Sequence, residues 1–110
     1  MSRSHLICEA IAAQRLLTFE YRDMVRVVEP YCHGFTAAGE EVLRAVQVGG
    51  ESRKGGFGKG KLWTVGLVQK IKMLERGFVA DDPEYNPNDV AMARVHCRIE
   101  RASGARARSG

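Results

Sequence analysis

The 110-residue chain has no apolar run near the roughly 18 residues that span a bilayer as a helix, and its start lacks a signal-peptide core. Cysteine is scarce. Three thiols cannot all pair within one chain, and their spacing is not that of a disulfide framework, so a reducing compartment is the simpler expectation. These absences together predict a cytoplasmic protein. No internal repeat is present. Charge of one sign is not dominant either: 17 basic against 13 acidic residues leave a net charge of +4. That mild excess favours polyanionic partners without specifying one.

What is present begins with Val25-Arg26-Val27-Val28-Glu29-Pro30-Tyr31, the densest β-branched run in the sequence. Proline cannot donate to a strand ladder, so Pro30 is expected to end this strand. Before it, residues 4–14 carry an apolar stripe at helical spacing, with Ser4 as the expected N-cap. From Leu16 to Tyr21 the period changes to the alternation of a half-buried strand, and Arg22-Asp23 reads as a hairpin turn. Glu41–Val48, Leu62–Leu67 and Val68–Leu74 read as further strands, with a bend at Gly66, and Ala91–Ile99 as the last. Residues 49–60 are half glycine and read as a long loop, and residues 101–110 as a disordered basic tail. One domain over residues 1–100 follows: mainly β with one N-terminal helix, mostly antiparallel and closed as a small barrel.

The ordered set Ala10-Ile11, Arg15-Leu16-Leu17, Phe19-Glu20-Tyr21, Arg26 to Tyr31, Glu41 to Ala45 and Lys61 to Val65 resembles a WYL domain, from about residue 7 to 78. The resemblance implies an SH3-like or Sm-like barrel of bacterial transcription regulators that senses a ligand, in some cases a nucleic acid, through basic and aromatic residues. The departures are specific. The name-giving Trp-Tyr-Leu falls on Glu41-Val42-Leu43, and the family's Asp-Arg-Ile falls on Gly66-Leu67-Val68.

The candidate ligand-binding residues are Arg26, Tyr31, Arg44, Arg53, Lys54 and Lys61. Arginine offers a planar fork of donors suited to phosphate or carboxylate, and Tyr31, Phe57 or Trp63 could stack on bases. The competing reading pairs these charges across strands with Glu20, Glu29 or Glu41, and places Trp63 in the core. Cys32-His33 and His96-Cys97 form a mirrored pair of metal-competent dipeptides. Neighbouring strand residues point to opposite faces, so the expectation is no metal, with the thiols acting as buried hydrophobes. The glycine-rich loop lacks the phosphate-loop pattern, and Asp81, Asp82 and Glu84 lack a neighbouring base or nucleophile, so no catalytic role and no cofactor are expected. The expected function is regulatory binding of a nucleic acid or another anionic ligand. The alternative is a protein-interaction module that docks on a separate regulator or defence protein; self-association is a further expected partnership, and no membrane contact is expected.

Overall fold

The computed structural model describes residues 2–51 and 57–100. The expected tail, together with Arg53 and Lys54 of the glycine-rich loop, lies outside the described residues. Within them the chain runs α1 (Arg3–Ala13), β1 (Arg15–Tyr21), β2 (Met24–Phe35), β3 (Glu41–Gly50), β4 (Gly60–Thr64), β5 (Gln69–Gly77) and β6 (Arg94–Arg98). A single 3-10 turn at Val65–Leu67 joins β4 to β5 and replaces the bend expected at Gly66.

The N-cap of α1 is Ser2, whose hydroxyl accepts from the His5 amide, not Ser4 as the sequence suggested. Ser4 is the second residue of the helix and donates its hydroxyl to Glu41 instead. Ile7, Ala10 and Ile11 are the residues of α1 buried against the sheet. A helix of eleven residues is marginal by itself, so this packing is what keeps it formed. Two further ties hold its ends: Arg3 donates to the Val65 and Val68 carbonyls, and the Phe78 amide donates to the carbonyl of Gln14.

The six strands form an antiparallel sheet in the order β4-β3-β2-β1-β5, and β6 pairs with β2 off this path. The expected mainly-β, antiparallel class is therefore what the chain adopts. The sheet curls like a small barrel but is not closed, because β4 and β5 are both edges. Arg22 and Asp23, at φ 53° and 64°, make the hairpin turn that the right-handed strand twist favours. Curling brings Trp63 of β4 over β1: its ring lies 5.5 Å from Phe19 and 4.9 Å from Tyr21, both edge-on. Trp63 is thus a core residue, its indole N–H donating to the Ala45 carbonyl.

Pro30 does not end its strand. β2 runs for twelve residues, from Met24 to Phe35, and pairs with β3 on both sides of the proline. The proline is tolerated because it falls where the ladder is already broken. Pairing to β1 ends at Val28, pairing to β6 begins at Cys32, and the register to β3 slips between Pro30 and Cys32. β2 thus has two halves with different second neighbours. The last strand is shorter than expected, and of its anticipated buried set Met92 and Ile99 are buried while Val95 is only half-buried.

Candidate functional site

Of the four candidate residues that are described, Tyr31 and Arg44 line one cleft, and Arg26 and Lys61 do not line it. Arg26 is only 6% exposed, which takes it out of reach of a ligand. Its guanidinium donates to the Tyr21 carbonyl and to Gln47 Oε1, and lies 5.5 Å from the Trp63 ring. Gln47, itself buried, donates in turn to the carbonyls of Gly49 and Glu51. This is a closed internal network, and the carboxylates considered as cross-strand partners take no part in it. The reason Arg26 turns inward is register: it faces Phe19 across the β1 pair and Gly50 across the β3 pair, so small or flat neighbours leave room for its stem.

Arg44 is held at its guanidinium by Asp89, with Nε and Nη2 donating to the two carboxylate oxygens at 2.7 and 3.0 Å. That pair lines a cleft of about 200 Å³ with Tyr31, Asp82, Glu84 and Tyr85. Tyr31 is buried, accepts from the Asp82 amide, and is pushed up to about 12, chiefly by burial. The Asp89 carboxyl is held below its ordinary range, first by the Arg44 hydrogen bond and against the opposing effect of burial. With three carboxylates around one already paired arginine, the cleft is a poor host for an anion. Lys61 is partly exposed on the β4 edge, its ammonium 5.7 Å from the Trp63 ring. Phe57, at the start of the same segment, is exposed.

A basic row that sequence reading missed lies on the opposite edge. Lys70, Lys72 and Arg76 of β5 are exposed. Lys70 reaches Glu20 at 3.5 Å, but Lys72 and Arg76 form no ion pair with any described residue. The alternation Lys70-Ile71-Lys72-Met73 carried the signal: Ile71 and Met73 pack on the core while the cations face outward.

The cysteines and histidines are arranged otherwise than the sequence suggested. Cys8 of α1 and Cys97 of β6 form a disulfide, which corrects the expectation of free thiols. The partner was missed because a bond closing across 89 residues leaves no spacing signal. Only Cys32 behaves as a buried hydrophobe. It packs against Val42 and Met92, and burial pushes its thiol up to about 11. Alternation does send Cys32 and His33 to opposite faces, as expected of a strand. It fails at His96-Cys97, because β6 is bulged there: His33 pairs with Cys97 and Gly34 with Val95, leaving His96 as the extra residue.

The bulge turns His96 toward His33, and the two Nδ1 atoms lie 3.1 Å apart. Cys8 Sγ is 3.5 Å from His96 Nδ1, and one donor atom from each of Cys8, His33, His96 and Cys97 lies within 4.8 Å of all the others. His33 is fully buried, and its Nε2 faces Glu41 Oε2 at 2.6 Å. Nε2 therefore carries the proton and donates it to the carboxylate, which leaves the Nδ1 lone pair facing the cluster. Burial, above all, favours the neutral form of this imidazole. Burial also works to raise the Glu41 carboxyl, but the hydrogen bonds from Ser4 and His33 outweigh it and hold the carboxyl below its ordinary range. Gly34 is required beside the bulge, since a Cβ there would lie 2.2 Å from the Arg94 carbonyl oxygen.

No protein-family model, curated protein or solved structure matches this chain. No described helix is long and apolar enough to cross a membrane.

Proposed function

We propose that the chain is a non-catalytic, WYL-like regulatory module that binds a nucleic acid or a similar polyanion along the β5 edge. The observation that carries this reading is the outward pair Lys72 and Arg76, which find no acidic partner among the described residues. Outward cations along an edge strand can contact a phosphate backbone, and each neutralised phosphate releases counterions. Arg26, buried and internally bonded, belongs to the scaffold in this account, and Arg44 is already neutralised by Asp89.

The test is fluorescence anisotropy of the full chain with short labelled single- and double-stranded oligonucleotides at two salt concentrations. Binding at low salt that weakens steeply as salt rises supports the reading. Lys72→Ala and Arg76→Ala should each reduce the salt slope by roughly 1. Absence of binding at low salt rejects it. A second reading then stands on the other edge, where the outer side of β4 has no neighbouring strand among the described residues and Leu62 is exposed: docking of a protein partner by strand addition, which salt would scarcely affect.

A further inference from the structure

We propose that Cys8, His33, His96 and Cys97 form a zinc site in the reduced protein, and that the Cys8–Cys97 disulfide is its metal-free, oxidised form. The inference is independent of the polyanion reading.

The donor set is two sulfurs and two imidazole nitrogens, the mixture that structural zinc selects. Zn–S bonds of about 2.3 Å and Zn–N bonds of about 2.0–2.1 Å in a tetrahedron put two nitrogens about 3.3 Å apart and a sulfur and a nitrogen about 3.6 Å apart. The separation of the two Nδ1 atoms, 3.1 Å, and that of Cys8 Sγ from His96 Nδ1, 3.5 Å, are already close to those edges. Cleaving the disulfide frees the two sulfurs to adjust the other four edges.

The surroundings fit a metal better than a disulfide alone. A disulfide needs no imidazoles about it, yet two ring nitrogens converge beside this one, one of them on a fully buried residue. Glu41 accepts from the far nitrogen of His33, and Ser4 donates to the same carboxylate. Such a carboxylate behind a ligating histidine fixes its tautomer and raises its basicity. The ligands come from α1, β2 and β6, so the ion would join the short helix and the short last strand to the central one.

The chemistry balances as follows. A dithiol reductant supplies two electrons and two protons, the Cys8–Cys97 bond breaks to two thiols, and the reductant closes its own disulfide. Zn²⁺ then displaces the two thiol protons to solvent and takes four bonds, from two thiolates and two Nδ1 lone pairs. His96, which is exposed, shifts its remaining proton to Nε2. The disulfide and the metal form exclude each other.

The test uses the full chain, reduced and anaerobic, dialysed against Zn²⁺ or Co²⁺ and then against buffer. One metal per chain by elemental analysis is expected, with the d–d bands of tetrahedral cobalt and a sulfur-to-cobalt charge-transfer band. The oxidised chain should retain none. Cys8→Ser and His96→Ala, at half-buried and exposed positions, should each remove stoichiometric binding while the far-ultraviolet circular dichroism stays that of the wild type. Glu41→Gln should keep the site but weaken zinc about 10- to 100-fold. Less than half an equivalent in the reduced wild type overturns the proposal. So does retention of a full equivalent by His96→Ala or by the oxidised chain, or a cobalt complex with no sulfur charge-transfer band.

Discussion

The two halves of β2 each bury one polar side chain, and they satisfy it in opposite ways. In the first half, between β1 and β3, Arg26 turns inward and uses its donors on the Tyr21 carbonyl and the Gln47 amide, with the Trp63 ring alongside. In the second half, between β6 and β3, His33 turns inward and spends one nitrogen on Glu41. Its other nitrogen faces a histidine and two sulfurs brought in from α1 and β6. Guanidinium is a donor only, so once its N–H groups are met inside the fold it is a structural part. Imidazole keeps a lone pair, and a buried lone pair facing other ligands is what chemistry can be built on. The same strand therefore holds a scaffold end and a reactive end.

The strongest way to break the comparison is Gly34→Ala. Its Cβ would collide with the backbone of β6, which cannot yield as a side chain would. A loss of about 3 kcal/mol is expected from urea unfolding followed by Trp63 fluorescence, together with loss of metal uptake. An unchanged midpoint would mean that the close approach of β6 to β2 is not needed.

Arg26→Ala tests the scaffold end. It strips the buried Gln47 amide and Tyr21 carbonyl of their donor and should cost about 2–3 kcal/mol in the same measurement. Polyanion affinity of the folded fraction should not change. A fall in affinity with an unchanged urea midpoint would return Arg26 to the role the sequence suggested.

Asp89→Asn, which breaks the partly buried pair with Arg44 in the cleft that Tyr31 of β2 also lines, should cost about 1–2 kcal/mol. The folded carboxyl lies below its unfolded value, so its stabilising effect is complete above the unfolded pKa of about 3.9 and is lost as pH falls through the folded one. Urea midpoints of wild type and variant, compared from neutral pH downward, should converge in acid. A difference that grows on acidification would show the opposite sign.

The smallest effect on stability belongs to Lys72→Ala, on the outer face of β5, away from either half. The midpoint should stay nearly as it was while oligonucleotide affinity falls, and equal affinity in variant and wild type would remove the β5 edge from the binding surface.

Local pattern alone determined the class of the fold. The change from helical spacing to alternation near Arg15, the Arg22-Asp23 turn and the apolar runs that follow it mark α1 and most of the strands, because burial on one face imposes a period that a single sequence displays. It also put Trp63 in the core. What the sequence could not show is where periodicity is interrupted and what lies across the chain. Pro30 borders a register slip and His96 occupies one, and a slip depends on which strand lies alongside, which no local spacing records. Arg26 reads as an outward charge until β1 and β3 enclose it. Cys8 reads as one helix residue among others until the sheet carries Cys97, His96 and His33 to it. Those positions are set by long-range packing, since side chains far apart in sequence become neighbours only when the apolar faces of α1 and the sheet are buried together.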